Sequence, residues 1–228
     1  PFGVFDREPE RERESEREPE RVFEPEPPIT KPRPATSEQS PERVREVAPT
    51  PTTATVMPLP SPTDPAAFSG LIDLASERLG GRALIANDEF FAGKENLLKP
   101  GKAVFIADKY TERGKWMDGW ETRRRRTPGH DWCIVKLGLP GAIRGIDIDT
   151  SHFLGNHPSY ASIEVCNVNG DPDPATLEAN ASWVEILPKA PLKAGAQNLF
   201  ASVDAPRATH ARIRIFPDGG VARLRLYG

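Results

Sequence analysis

Hydrophobic and polar residues alternate along most of the chain after residue 81, with the period of two that is typical of half-buried β-strands. The clearest cases are IRGIDID at 143–149 and ARIRIF at 211–216. Their alternation places Ile143 with Gly145, Ile146 with Ile148, or Ile213 with Ile215 on a core face, with charged residues opposite. The same pattern predicts eight strands, at residues 82–86, 132–138, 143–149, 161–167, 183–187, 198–203, 209–216 and 221–227.

Glycine, proline, asparagine and aspartate separate these strands, and LGLPGA and FPDGGV are the firmest turn signals. Ahead of the strands, PAAFSGLIDLASERLGG has apolar residues at helical spacing and predicts a short N-terminal helix ended by Gly80 and Gly81. Many strands and little helix predict an all-β fold, a β-sandwich. The long connection from Glu89 to His130 is expected to be an ordered functional loop, since connections of this length are usually functional or disordered.

Composition divides the chain near residue 65. Residues 1–65 hold 15 of the 25 prolines and 9 Lys plus Arg against 14 Asp plus Glu, while the remainder holds 21 against 19. Residues 1–65 contain too few apolar side chains to offset the conformational entropy lost on folding, so we expect a disordered Pro/Glu/Arg-rich extension there. Residues 66–228 are long enough to bury one hydrophobic core, so we expect a single folded domain. The first methionine is Met57, and we expect it to be the true initiator.

Several function classes are disfavoured. No apolar run approaches the length of a membrane span and no leader is visible, so we expect a cytoplasmic protein without a membrane contact. The folded part is nearly neutral and lacks a basic stripe, so no nucleic-acid partner is expected. Cys133 and Cys166 lie in alternating segments without CxxC spacing, which favours buried, inert thiols.

The segment GKWMDGWETRRRRTPGHDW at 114–132 combines tryptophans, acids, four consecutive arginines and a histidine. Arginine cannot lose its proton and is rarely buried unpaired, so the run at 123–126 predicts a site for a carboxylate or a phosphate. A solvated basic loop or a subunit interface is the alternative interpretation.

Several blocks of the chain resemble the allantoicases: LIDLASERLGGRALIANDEFF, NLLKPG, WMDGWETRRRR, PGHDWCIVKLGLPGAIRGIDIDTSHFLGN and FPDGGVARLRLYG. The resemblance implies a jelly-roll β-sandwich of the galactose-binding, discoidin-like type and hydrolysis of allantoate to ureidoglycolate and urea. It also implies a homo-oligomer and a second repeat that this chain lacks. A non-catalytic discoidin-like ligand-binding module, or an inactive single-repeat fragment, is the alternative.

Allantoate has one carboxylate and two ureido arms on a central carbon, so its hydrolysis needs an anion clamp, amide-binding groups and a proton carrier. An arginine fork binds a carboxylate through two parallel hydrogen bonds, which makes Arg123 and Arg124 the predicted clamp. The other predicted substrate-binding residues are Trp120, Asp149, Thr150 and Asn156. The predicted catalytic residues are Glu121, His130, Asp131 and Asp118.

Two of these catalytic predictions have a specific physical basis. The Asp131 carboxylate is expected to orient the His130 imidazole, although a His-Asp pair also often caps a turn. Burial beside Trp120 is expected to raise the pKa of Glu121. No cofactor is expected. A metal requirement stays open, because His152, His157 and Asp149 fit no firm ligand spacing.

Overall fold

The structure of the chain, a computed structural model, describes residues 68–202 and 204–228. The predicted disordered extension at 1–65 and the predicted initiator Met57 lie outside the described residues. All eight predicted strands are present with small differences at their ends. They are β1 (Arg82–Ala86), β5 (Asp131–Ala142), β6 (Gly145–Asp149), β7 (Tyr160–Cys166), β8 (Val184–Pro191), β9 (Gln197–Ala201), β10 (Arg207–Phe216) and β12 (Arg223–Tyr227).

Shorter elements complete the domain, and the strand pattern did not predict them. Four two-residue strands are β2 (Tyr110–Thr111), β3 (Gly114–Lys115), β4 (Trp120–Glu121) and β11 (Gly220–Val221). Helix α1 (Pro174–Asn180) begins with the Asp173 carboxylate accepting the Thr176 N–H at 3.1 Å, and two 3₁₀ turns occupy Glu77–Leu79 and Lys94–Leu98.

Two antiparallel sheets face each other across one hydrophobic core. The larger sheet has the strand order β1-β5-β10-β7-β8 and the smaller one has the order β12-β6-β9. Alternate residues of both sheets meet between them with no exposed surface, among them Val135, Ile163 and Ile213 from one sheet and Ile146 and Leu224 from the other. This arrangement confirms the predicted all-β, jelly-roll type of sandwich.

The predicted N-terminal helix is wrong for its described part. The segment pairs its backbone with the last strand instead, through an Asp73–Tyr227 bridge and a 2.8 Å bond from the Leu74 N–H to the Leu226 carbonyl. Only Glu77–Leu79 forms a 3₁₀ turn. Because the sheet edge offers partners for these backbone groups, pairing with it replaces the hydrogen bonds that a helix would make within itself.

One end of the sandwich gathers the loops that carry the predicted chemistry. Strand β4 pairs with β11 in the register Glu121 to Gly220, and the Gly220 N–H donates to the Asn156 carbonyl at 2.7 Å. The Trp120 indole anchors β4 because it is fully buried and donates to the Asp88 carbonyl at 2.8 Å. These bonds bring β4, the 155–159 loop and the 217–219 turn side by side.

Both cysteines are free and buried, as expected. Burial raises the pKa of the Cys133 thiol far above its usual range and that of Cys166 to about 11, so both are protonated at neutral pH. Within residues 68–202 and 204–228, no helix is long and apolar enough to cross a membrane.

Candidate active site

A cleft of about 380 Å³ opens where β4, the 155–159 loop and the 217–219 turn meet. We call it the central cleft. Its walls include two acids, two arginines, an amide and an aromatic ring: Glu121, Asp218, Arg124, Arg125, Asn156 and Phe91. Three of the residues predicted from the sequence therefore line this cleft: Glu121, Arg124 and Asn156.

Glu121 is a candidate proton carrier of the central cleft. Its side chain is partly buried, and its Oε1 accepts a 2.6 Å hydrogen bond from the Asn156 carboxamide. Burial raises the pKa of Glu121 above its usual range, and the bond from Asn156 opposes part of that rise. The predicted rise of the Glu121 pKa is thus confirmed. A carboxyl group that holds its proton more tightly can act as a general acid.

The backbone on either side of Glu121 is fixed. Its N–H donates to the Ala92 carbonyl at 3.1 Å, and its carbonyl accepts from the Phe91 and Ala92 N–H groups at 3.2 and 3.3 Å. The Thr122 hydroxyl accepts the Gly219 N–H at 3.1 Å, which ties the 217–219 turn to β4. The strand that carries the carboxyl group is therefore held by hydrogen bonds on both of its sides.

Arg124 and Arg125 bring positive charge to the same cleft in different ways. The Arg124 guanidinium is exposed and has no ion-pair or hydrogen-bond partner among the described residues. Arg125 is held on three sides: its Nη1 donates to the Asp131 carboxylate at 2.5 Å, its backbone N–H donates to Asp218 at 2.9 Å, and its guanidinium packs against Gly129. Arg124 is free to bind an anion, whereas Arg125 is a fixed charge.

A second cleft of about 370 Å³ adjoins the central one, which we call the aromatic cleft. Glu121, Asn156 and Phe91 belong to both, so the carboxyl group lies at their junction. Its far wall includes Phe105 and His152, whose rings stack with centroids 5.6 Å apart. Flat groups on opposite sides of a reacting atom could thus occupy the two clefts at once.

Arg123 lies in a third cleft, of about 530 Å³, which we call the arginine cleft. Its Nε donates to the Asp88 carboxylate at 2.6 Å, and its guanidinium lies 5.3 Å from the Phe90 ring. Arg123 does not line the central cleft, so only Arg124 of the predicted clamp lies beside Glu121.

Two further predictions are corrected by burial. Trp120 is fully buried in the core and cannot contact a substrate, so its predicted role is wrong. Asp118 is buried too, and its carboxylate pairs with the Arg223 guanidinium at 2.6 Å outside the central cleft. Burial alone would raise the pKa of Asp118, but the bonds from Arg223 and the Val104 N–H outweigh it and lower the pKa.

Asp149 and Thr150 also lie away from the central cleft. Asp149 lines a separate cleft on the three-stranded sheet, and its carboxylate accepts the Ser151 N–H at 2.8 Å. The Thr150 hydroxyl is buried and donates to the Lys193 carbonyl at 2.6 Å. The Asp149 carboxylate thus closes a local turn, whereas the Thr150 hydroxyl ties this segment to the distant 193–196 segment. Of the predicted amide-binding residues, Asn156 alone lines the central cleft.

His130 and Asp131 do not form the predicted pair. The Asp131 carboxylate is bound by Arg125 and by the Asn87 carboxamide, at 2.5 and 2.9 Å on the same oxygen. The His130 ring packs on Phe216 with centroids 5.0 Å apart. Burial lowers the pKa of His130, and the nearby Arg214 cation lowers it further. Asp131 positions an arginine instead of an imidazole.

Among residues 68–202 and 204–228, no three His, Cys, Asp or Glu side chains are grouped as metal ligands.

Comparison with known proteins shows which family the chain belongs to. The family model for the allantoicase repeat matches residues 72–228. A "Probable allantoicase 1" of Burkholderia mallei is 53% identical over 172 residues, which are 75% of this chain and 50% of the relative. The chain belongs to the allantoicase family. The allantoicase of Dictyostelium discoideum is 47% identical over 167 residues, or 73% of this chain and 45% of that protein.

Solved allantoicases have the same fold. The crystal structure of the Saccharomyces cerevisiae allantoicase matches with a TM-score of 0.62 at 36% identity, over 72% of this chain and 52% of that one. This chain thus spans about half the length of the allantoicases that it matches.

Sequence reasoning missed three groups of the central cleft, Phe91, Arg125 and Asp218. Phe91 carried no motif. Arg125 was visible only as one member of the arginine run, and nothing local distinguished it from its neighbours. Asp218 lies in the PDGG turn, which the sequence pattern assigned to structure alone; its carboxylate contacts the Arg125 backbone across 93 positions of sequence. The PDGG sequence was recognised as a turn, but it did not indicate that Asp218 lies in the cleft.

Proposed function

We propose that this chain provides an active site for hydrolysis of allantoate to ureidoglycolate and urea. The observation that carries the proposal is the Glu121 carboxyl, bonded to Asn156 at 2.6 Å and lying in the same cleft as the unpaired Arg124 guanidinium. Membership of the allantoicase family supports the substrate. This cleft thus combines a candidate anion clamp with an acid whose pKa is raised by burial.

The substrate carboxylate binds the Arg124 guanidinium, since its planar donors match a carboxylate. The fixed charge of Arg125 adds attraction for the same group. One ureido arm remains in the central cleft and the other enters the aromatic cleft, so the central carbon lies beside Glu121. Asn156 holds the carboxyl group toward that carbon.

Protonated Glu121 donates its proton to the ureido nitrogen as the bond from that nitrogen to the central carbon breaks. Urea leaves, and the oxygen of one water bonds to the central carbon. The second proton of that water passes to the Glu121 carboxylate, which restores the acid. One carboxyl group thus completes the cycle, and its raised pKa maintains the protonated form closer to neutral pH.

Steady-state release of urea from allantoate tests this proposal. Glu121→Gln is expected to lower kcat by about 10²- to 10⁴-fold because it removes the acid. Arg124→Ala is expected to raise KM by about tenfold because it removes the carboxylate clamp. The parent rate should fall as pH rises through the pKa of Glu121, since the protonated form is the active one.

Two variants serve as matched controls. Glu112→Gln changes an exposed carboxylate in the β2–β3 turn, and Arg126→Ala changes an exposed arginine of the same run outside the central cleft. Both should keep the parent kcat and KM. Allantoate binding without urea release would instead identify a non-catalytic binding module, and equal rates for Glu121→Gln and the parent would exclude the carboxyl mechanism.

The proposal also includes a homo-oligomeric, cytoplasmic enzyme. Light scattering during size-exclusion chromatography measures the oligomeric state, and cell fractionation measures the cellular location.

A further inference from the structure

The arginine cleft includes two arginines, Arg123 and Arg126, that the proposed reaction does not use. Four guanidinium groups line it, together with two carboxylates, a hydroxyl and two phenylalanine rings. Arg124 and Arg125 also border the central cleft, whereas Arg123 and Arg126 border the arginine cleft alone. The cleft has a volume of about 530 Å³, which is ample for a small anion with its water shell.

The charges in this cleft do not balance. Asp88 pairs with Arg123 at 2.6 Å, and Asp131 pairs with Arg125 at 2.5 Å. Arg124 and Arg126 have no acidic partner among the described residues. Two positive charges on one wall therefore remain uncompensated, and in a concave wall they attract a ligand that carries two negative charges.

The wall is built on a fixed backbone. The Arg123 N–H donates to Asp88 at 3.1 Å, and the Arg125 N–H donates to Asp218 at 2.9 Å. The Arg123 guanidinium also packs over the Phe90 ring, which restrains its plane. A segment tied at two positions holds the side chains between and beside them in a limited volume, so less entropy is lost when they bind an anion.

We propose that the arginine cleft binds a compact dianion, such as inorganic phosphate or a short dicarboxylate, at a site that adjoins the central cleft. Guanidinium forks match the oxygens of both groups. A nucleic-acid backbone fits less well, because the folded part holds 21 basic against 19 acidic residues and offers no extended basic stripe.

Arg124 connects this site with the proposed reaction. Because Arg124 borders both clefts, a dianion bound in the arginine cleft draws its side chain away from the substrate carboxylate. Phosphate should therefore raise the KM for allantoate and leave kcat unchanged. This link rests on the proposed function, but binding of the dianion does not.

Isothermal titration of the intact chain with inorganic phosphate, in chloride buffer of constant ionic strength and without allantoate, tests the site directly. We expect a Kd of about 1 mM or tighter. Arg126→Ala should weaken binding by about tenfold, and Arg126→Lys should weaken it less, since lysine retains the charge but loses the fork. Malonate, titrated in the same way, tests the dicarboxylate.

Two variants separate this proposal from general electrostatics and from catalysis. Arg207→Ala removes an exposed arginine outside the arginine cleft and should leave the Kd unchanged. Glu121→Gln should also bind phosphate like the parent, so a failure of urea release leaves the binding result intact. Equal Kd values for Arg126→Ala and the parent would overturn the site. Tighter binding of a short single-stranded oligonucleotide than of phosphate would overturn the assignment to a compact dianion.

Discussion

At the scale of single residues, the fixed arginine of the central cleft depends on a buried acid. Asp131 is 1% exposed, and its carboxylate is the partner that orients the Arg125 guanidinium. The cost of leaving a buried charge without its partner makes this pair sensitive to change. Asp131 is therefore a positioning residue, although the sequence suggested a catalytic one.

Replacing Asp131 by Asn retains the shape and removes the charge. We expect the KM for allantoate to rise by about tenfold with a smaller change in kcat, because Arg125 loses its orientation while Glu121 keeps its place. Steady-state kinetics measure the separation of the two parameters. Asp88→Asn is the matched control, since it releases Arg123, which does not border the central cleft. A proportional fall of kcat in Asp131→Asn would point to a catalytic role.

At the scale of elements, the site depends on the contact between the 217–219 turn and the 155–159 loop. Gly219 has a φ of 138°, and a Cβ atom there would lie 2.6 Å from the Asn156 carbonyl oxygen. A side chain at this position would be strained by the backbone angle and would also push Asn156 away from Glu121. The glycine therefore allows the two loops to meet.

Gly219→Ala is expected to destabilise the fold by about 1–3 kcal/mol and to lower kcat, because the Asn156 bond to Glu121 is disturbed. Thermal unfolding and urea release measure the two effects. Gly155→Ala is the control: it lies in the facing loop, and its Cβ would meet nothing within 4 Å. A Tm for Gly219→Ala equal to that of the control would contradict the close-approach argument.

The hydrophobic pattern of the sequence predicts long strands but not short ones. The eight longer strands were predictable because burial of one face imposes alternation on each of them. The strands β4 and β11 were not, since two residues such as Trp120 and Glu121 show no period. The predicted N-terminal helix failed because the Leu74 backbone pairs with β12, which buries Leu74 and Ala75 without a helix. Leu71 and Leu79, the other residues at helical spacing, are exposed.

At the scale of the whole molecule, stability includes a cost from one buried acid. Asp147 on β6 is 2% exposed, and its Oδ1 has no hydrogen-bond partner among the described residues. Burial and the neighbouring Asp149 raise the pKa of Asp147 to about 7, against a bond from Gln197 and the attraction of Arg225. Between about pH 4 and about pH 7, Asp147 therefore keeps its proton in the folded chain and loses it in the unfolded chain.

This linkage predicts how stability changes with pH. A carboxyl whose pKa is raised on folding favours the native state at low pH, and that contribution is lost as pH rises from about 4 to about 7. Asp147→Asn stays neutral and should be more stable than the parent above pH 7, by about 2–4 kcal/mol.

Denaturant unfolding of both chains between pH 5 and pH 8 checks this difference. It should shrink toward pH 5, because the parent is then protonated as well. Asp108→Asn, at an exposed position, is the control, and its free energy of unfolding should change with pH as that of the parent does. A constant difference between Asp147→Asn and the parent at every pH would show that packing, and not titration, causes it.

The sequence alone determined the class of fold, the strands of both sheets, the buried thiols and the segment that carries the site, because burial and turn geometry act on neighbouring residues. Tertiary structure decided which members of that segment meet. Arg124 and Arg125 lie beside Glu121, whereas Arg123 turns to Asp88 and Trp120 enters the core. The contact of Asn156 with Glu121 joins residues that are 35 positions apart. No local pattern specifies such a contact, because it exists only after the two sheets have packed and their end loops have been brought together.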